Sequence, residues 1–203
     1  MNAPIAMHLE AVILAAGLSR RAGTFKPAFE IDGRPLLRHA VDGLRPWCRR
    51  VVVVTGHEHE RAVELVMGIT GVVTVFNSRF AGDMFLSVQV GAGAVATEAA
   101  GFFVLPVDCP FIETEVYRIL VEAFAAAGCA RAVVPEHAGR GGHPVLLPAA
   151  AREAILAAAP PVTLREIVSA RDPLRLPVPS PAVLIDADTP GDLARLRRRP
   201  QDI

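Results

Sequence analysis

Four apolar runs of strand length, residues 11–15, 51–55, 72–76 and 102–107, recur along the chain with stretches of helical spacing between them. Runs without polar alternation suit parallel strands covered by helices on both faces, because neither face then meets water. Residues 36–44, 60–67 and 115–127 place apolar side chains every three or four positions, as a helix with one face on a core does. Residues 84–107 are charged only at Glu98, yet Ser87, Gln89, Thr97, three glycines and Pro106 interrupt them. Such a stretch is too polar to spend about 20 residues in hydrocarbon, and it reads as a buried helix followed by a buried strand. After Gly128 the elements shorten: strands at 132–135 and 145–147 flank a turn at Gly139–Arg140–Gly141–Gly142, and helices follow at 149–159 and 163–170. A proline-rich stretch at 173–181 precedes a last strand at 183–185 and a closing helix at 189–198, with Thr189 as N-cap and Pro190 in its first turn.

This alternation predicts an α/β fold, a three-layer, Rossmann-like, doubly wound and mostly parallel sheet. At 203 residues the chain has room for one sizeable core: a loose tail over 1–9, one domain over 10–199 and a short tail over 200–203. The first residues lack the basic segment and long apolar core of a secretory signal. With 21 acidic against 21 basic residues the net charge is zero, so neither nucleic acid nor a membrane surface is an expected partner, and any phosphate binding has to be local. Cys48, Cys109 and Cys129 form no CxxC pair and are odd in number, which points to reduced thiols in the cytoplasm.

Every basic residue but one is an arginine. The exception, Lys26, ends the stretch Leu14–Ala15–Ala16–Gly17–Leu18–Ser19–Arg20–Arg21–Ala22–Gly23–Thr24–Phe25–Lys26, which leaves the first predicted strand at its carboxyl end. Open α/β sheets bind ligands there. Gly17 and Gly23 allow a close approach of backbone to an anion, and Arg21 and Lys26 add charge; a lysine ammonium is a compact, mobile partner for phosphate oxygens. The spacing is not GxxxxGK[ST], so this is not the phosphate loop of ATPases. Asp108 ends the fourth apolar run before Cys109–Pro110, a position that suits a ligand of a hard divalent ion or, alternatively, a helix cap. Asp186 and Asp188, two apart, face one side of an extended segment and could share such an ion; capping by Asp188 or Thr189 is the alternative.

The LAAGxSxRxGxxK pattern is similar to the signature loop of the MobA-like NTP transferase family, whose members resemble sugar-nucleotide pyrophosphorylases. Val107–Asp108–Cys109–Pro110 resembles that family's GDxP element and Asp186–Ala187–Asp188–Thr189–Pro190 its DxDTP element. Asn77, Gly82, Met84 and Ser87 resemble its N…GMxxS segment, and Gly139–Val145 its GRxGHPV loop. The resemblance implies a sheet of the nucleotide-diphospho-sugar transferase type and Mg2+-dependent transfer of a nucleoside monophosphate to a phosphate-bearing acceptor, with pyrophosphate released. It implies that Leu14, Ala15, Ala16 and Gly17 lie along base and ribose, with Ser19, Arg21, Gly23 and Lys26 on the triphosphate and Asn77 and Ser87 also on the nucleotide. Gly82, Met84, Arg140, Gly142, His143 and Pro144 would then frame the acceptor, Asp108 and Asp188 would hold Mg2+ with Asp186 in support, and Lys26, Arg21 and Asp108 would be catalytic. Within the family the chain looks like the branch that moves CMP from CTP to molybdopterin, with a molybdoenzyme client or its chaperone as the kind of protein partner. A guanylyl-transferring relative using GTP, a sugar- or alcohol-phosphate nucleotidyltransferase and a non-catalytic nucleotide-binding regulator are the rivals.

Two other patterns carry less. Gly91–Ala96 fits GxGxxA, the dinucleotide fingerprint, but lies within a predicted helix, where glycines serve close packing. His57–Glu58–His59 lacks the histidine spacing of HExxH and reads as the solvent-exposed start of the second helix.

Overall fold

The computed structural model describes residues 7–159, 161–187, 189 and 191–192. In chain order the first half comprises β1 (Leu9–Ala15), β2 (Glu30–Ile31), β3 (Arg34–Pro35), α1 (Leu36–Leu44), β4 (Arg50–Thr55), α2 (His59–Val66), β5 (Val72–Phe76) and α3 (Met84–Ala94). The second half comprises β6 (Gly101–Pro106), α4 (Thr114–Ala126), β7 (Val133–His137), β8 (Arg140–Gly141), β9 (Val145–Pro148), α5 (Ala151–Ala157), α6 (Leu164–Ser169) and β10 (Leu174–Pro177). The main sheet has the order β10-β7-β9-β6-β1-β4-β5, with β8 paired to β7, while β2 and β3 form a separate ribbon. Strands β5, β4, β1 and β6 are mutually parallel, and β9 runs antiparallel to β6.

Alternation along β1 builds the two helical layers. Ala11, Ile13 and Ala15 join one core with residues of α1, α2 and α4, among them Leu37, Val66 and Phe124. Val12 joins the other with residues of α3, α5 and α6, among them Val88, Ile155 and Ile167. Both faces of the central strands are therefore dry, which is why their sequences read as unbroken apolar runs. Glu10 is the exception in β1, 2% exposed. It accepts hydrogen bonds from Arg50 Nε at 3.1 Å, an Arg50 terminal nitrogen at 2.9 Å and the Ala96 amide at 3.1 Å, so its charge is buried but well partnered.

Among the described residues the expected elements form, with two corrections, one near the end of the chain and one at the start of α2. Residues 183–185 are not a strand: Pro181–Leu184 is a 3-10 turn begun by Ser180, whose Oγ accepts from the Ala182 amide. The strand lies earlier, in the proline-rich stretch, where Leu174 and Leu176 turn inward, Arg175 and Pro177 face out, and β10 pairs parallel with β7. Proline is tolerated there because β10 is an edge strand. Second, His59 is half-buried rather than solvated: its Nδ1 lies 2.7 Å from Thr55 Oγ1 and its ring 4.8 Å from that of Phe76. The closing helix is described only at its start, where Thr189 Oγ1 accepts from the Asp192 amide at 3.2 Å and the Thr189 amide donates to Asp192 Oδ2 at 2.9 Å. Among the described residues no helix is long and apolar enough to cross a membrane.

Gly91 lies on the face of α3 that meets β1, where an added Cβ would overlap Val12 Cγ1 and come within 3.0 Å of Val54 Cγ2. The GxGxxA resemblance is thus a packing feature. Gly91→Ala should destabilise the fold by about 1–3 kcal/mol, the usual cost of overfilling a tight core. The check is a lower urea midpoint at unchanged denaturant slope; an unshifted midpoint would mean that the helix backs away from the sheet at no cost.

Candidate active site

The register of the central strands sets the site. Ala15 of β1 lies opposite Thr55 of β4, and Leu14 lies opposite Pro106 of β6, so three strands end at one level. The loops that follow are stitched together: the His57 amide donates to Ala16 O at 3.2 Å and the Val107 amide to Leu14 O at 3.1 Å. The chain adds β4 and β5 on one side of β1 and then returns to add β6 on its other side, so the strand order reverses at β1 and the crevice that opens there is a topological switch point. A cleft of about 490 Å³ occupies it.

Leu14, Ala15, Ala16, Gly17, Ser19, Arg21 and Lys26 all line this cleft, as the loop's position predicts. A Cβ on Gly17 would meet nothing within 4 Å, so glycine keeps the floor open to a ligand. The left-handed conformations fall on Ser19 (φ 51°) and Gly23 (φ 64°). Ser19 Oγ accepts from the Lys26 amide at 3.2 Å and closes the loop on itself. Buried Phe25 anchors it, with the Arg61 guanidinium 5.3 Å from its ring centre. Gly23 turns the loop without lining the cleft.

Across the cleft, Lys26 Nζ donates to Asp108 Oδ2 at 2.6 Å, linking residues 82 positions apart. Asp186 joins them. The Ala187 amide donates to Asp108 O at 3.1 Å, and Asp186 Oδ1 accepts from the Cys109 thiol at 3.3 Å. Asp188, assigned as the second metal ligand by resemblance, lies outside the described residues; within them Asp186 is the carboxylate that meets Asp108. Cys109 is 1% exposed, and burial, followed by the charges of Asp108 and Asp186, pushes its thiol far above the ordinary range. A carboxylate oxygen from each of Asp108 and Asp186 lies within 4.8 Å of the Cys109 sulfur and of the other. Hard oxygen donors at that spacing fit a divalent ion such as Mg2+.

Gly82, Met84, Ser87 and His143 also line the cleft. Asn77 does not: it is 1% exposed and donates to Ser87 Oγ at 3.0 Å while its Oδ1 accepts from the Arg79 amide at 2.9 Å, so it braces the wall from behind. Gly142 is buried where an added Cβ would overlap the Val183 carbonyl oxygen, and the His143 amide donates to that oxygen at 2.8 Å. Gly142 and buried Pro144 flank His143 without lining the cleft, and Arg140 is exposed on β8, outside its walls. His143 Nδ1 is buried without a hydrogen-bond partner among the described residues. Burial lowers the imidazole's pKa, opposed by Asp186, Asp108 and a backbone hydrogen bond at Val104, so the neutral ring is favoured. Leu18, Arg20, Pro27, Phe80, Ala81, Pro106 and Val107 complete the walls and were not singled out in the sequence. Arg20 could have been, as the neighbour of Arg21 in the same loop; Phe80 carries no such signal and reaches the cleft through the turn after β5.

A family model described as the MobA-like NTP transferase domain matches residues 11–174. The protein of Escherichia coli (strain K12) named molybdenum cofactor cytidylyltransferase is 25% identical over 198 residues, 96% of this chain and 98% of that protein. A molybdenum cofactor guanylyltransferase of Shewanella loihica is 27% identical over 145 residues, 69% of this chain and 68% of that protein. Among solved structures, Rv0371c of Mycobacterium tuberculosis H37Rv superposes with a TM-score of 0.81 at 23% identity, covering 96% of this chain and 100% of that one. The same mycobacterial protein in complex with manganese gives a TM-score of 0.76 at 21% identity, with 96% and 100% covered.

The Lys26 and Asp108 side chains are 12% and 18% exposed, so their attraction is only partly screened. In a double-mutant cycle with Lys26→Met and Asp108→Asn, the two stability losses should fail to add by about 1–3 kcal/mol, as contacting partners do. Strict additivity in chemical denaturation would show that the pair contributes nothing to the ligand-free fold.

Proposed function

The chain belongs to the MobA-like NTP transferase family, and from that premise we propose that it moves CMP from CTP to a phosphate-bearing acceptor of the molybdopterin class, releasing pyrophosphate. The observation that carries this reading is the pairing of Lys26 with Asp108, itself grouped with Asp186, in the one cleft that Gly17 lines, which brings phosphate-binding and metal-binding chemistry together. The match of the Escherichia coli cytidylyltransferase over nearly the whole chain supports the nucleotide and acceptor chosen.

In this reaction a terminal phosphate oxygen of the acceptor attacks the α-phosphorus, and the bond from that phosphorus to the β-phosphate's bridging oxygen breaks. The acceptor's second phosphate pKa is about 6, so it is largely ionised at neutral pH and needs no general base. Position and charge stabilisation then dominate the chemistry. Leu14, Ala15, Ala16 and Gly17 hold base and ribose against the ends of the strands, with Ser87 on the opposite wall and Asn77 behind it. Arg21 and Lys26, joined by Arg20, neutralise charge on the α-phosphate and on the departing pyrophosphate. To reach them Lys26 exchanges its Asp108 partner for phosphate oxygens, an exchange of like for like in charge. Asp108 and Asp186, with Asp188 as a further candidate, would hold the divalent ion, which supplies charge neutralisation on the phosphate oxygens. Gly82 and Met84, 69% exposed at the rim, receive the acceptor together with His143. The neutral imidazole of His143 positions it through a hydrogen bond, and Arg140, Gly142 and Pro144 shape the turn that carries that ring.

Thermal unfolding with Mg2+ and each of CTP, GTP, ATP and UTP tests the nucleotide. A ligand at 100 times its Kd adds about 2.7 kcal/mol to the native state, so CTP should raise the Tm most. A larger shift with GTP would overturn the cytidylyl assignment in favour of the guanylyl relatives. Lys26→Ala should lower kcat for pyrophosphate release by about 10² to 10³-fold, the scale for removing one preorganised charge-stabilising group. Near-normal turnover in that variant would take the lysine out of the chemistry.

A further inference from the structure

Asn77 is 1% exposed and lines no part of the cleft, yet its side-chain amide is held in one orientation. The backbone is pinned first: the Asn77 amide donates to Thr55 O at 2.8 Å, and the Asn77 carbonyl accepts from the Phe80 amide at 3.2 Å. The Arg79 amide lies 2.9 Å from Oδ1, and a backbone N–H can only donate, so the side-chain oxygen has to face it. Nδ2 then faces Ser87 Oγ at 3.0 Å, and an amide nitrogen also can only donate. That contact takes a lone pair of Ser87 and leaves its single hydroxyl proton for another partner. A helical serine can return its proton to the carbonyl one turn back. Here, among the described residues, the Ser87 hydroxyl donates to none. Ser87 is 5% exposed and lines the cleft, so its proton lacks an acceptor until a ligand supplies one.

We propose that Asn77 is a positioning residue that fixes the direction of the Ser87 hydroxyl, so that this wall of the cleft presents a hydrogen-bond donor and takes an acceptor atom of the nucleotide. A ligand amino group set against Ser87 would meet a proton instead of a lone pair and be rejected, which makes the pair a determinant of specificity. Asn77 does this from behind the wall, without touching the ligand. That a nucleotide is what meets Ser87 rests on the nucleotidyl-transfer reading; the direction of the hydroxyl does not.

The test is titration calorimetry of the full chain with CTP and with GTP, each with Mg2+, on the wild type, Ser87→Ala, Asn77→Asp and the double variant, read on whichever nucleotide the wild type binds more tightly. Ser87→Ala should weaken binding by about 3- to 10-fold, the scale of one hydrogen bond. Asn77→Asp keeps the size of the side chain and the bond from the Arg79 amide but offers Ser87 an acceptor in place of a donor. The hydroxyl then turns back and a lone pair faces the ligand's acceptor, so binding should weaken by about 10-fold or more. In the Ser87→Ala background there is no hydroxyl to turn, and the same substitution should cost less than about 3-fold, the non-additivity of groups that act through each other. A merely structural brace, or repulsion of the triphosphate by the new carboxylate, costs the same in both backgrounds, and equal costs would overturn the proposal. Should Asn77→Asp lose the native near-UV circular dichroism, Asn77→Ser carries the comparison, since its hydroxyl can still accept from the Arg79 amide but is too short to hold Ser87. A loss that vanishes in the Ser87→Ala background supports the proposal, and an equal loss in both overturns it. A wild type that prefers GTP would overturn the cytidylyl assignment and leave the hydroxyl comparison intact, whereas one that binds neither nucleotide would overturn both.

Discussion

The placement of β1 between two parallel neighbours is the constraint on which the rest of the molecule depends. Parallel strands cannot be joined by tight hairpins, so the chain passes from β1 to β4 through α1 on one face and returns from β5 to β6 through α3 on the other. With β4 on one side of β1 and β6 on the other, the direction in which strands are added reverses at β1 and leaves a crevice above the strand ends. Residues from five separate stretches of sequence, the Gly17 loop, the segment from the turn after β5 into α3, Asp108, His143 and Asp186, then share one cleft without any of them being long or unusual. The two ends of β1 are treated differently. At its amino end Glu10 is saturated with donors and out of reach, whereas at its carboxyl end the charges are left partly open.

The Lys26–Asp108 pair is therefore better understood as a pair of placeholders than as a brace. Fully buried ion pairs are costly to separate because each ion loses its only counter-charge in a poorly polarisable medium. This one is 12% and 18% exposed and faces a cleft, so each partner can be met by an incoming opposite charge as it lets the other go. On the nucleotidyl-transfer reading, phosphate oxygens take the ammonium and a cation takes the carboxylate. The same exchange makes the two binding events help each other: whichever arrives first releases the group that the second needs.

What could be read from the sequence follows from what each pattern reports. Strands 51–55 and 102–107 were legible because both their faces are buried, and helix 36–44 was legible to the residue because a periodic apolar face ends against Pro35 on one side. The loop from Leu14 to Lys26 was legible as a site because its position at a strand end and its charge coincide. β10 was not, since Pro173, Pro177 and Pro179 argue against a strand in general and say nothing about an edge strand that needs only one ladder. Spacing could not tell that Asp186 meets Asp108, because that depends on one backbone hydrogen bond from Ala187 to Asp108 O. Asn77 was assigned to the nucleotide by resemblance, but its amide and carbonyl are engaged behind the wall, a fact only three-dimensional packing supplies. Cys109 looked like an ordinary buried thiol. It is buried, and what sequence could not show is that its hydrogen-bond acceptor is a carboxylate of the site.

The segment over 183–187 ties the two halves of the cleft together. Val183 O receives the His143 amide, and the close approach is possible only because Gly142 has no side chain. Four residues on, the Ala187 amide reaches Asp108 O. The turn that carries His143 and the strand end that carries Asp108 are thus held by one short strap, and Asp186 projects from it between them. A strap fixed at both ends by backbone hydrogen bonds can set the distance from His143 to the carboxylates without relying on side-chain contacts. Substitutions along it would then alter the spacing of the site before they altered any group that performs chemistry, which makes the strap the part of the fold through which acceptor position and ion position are coupled.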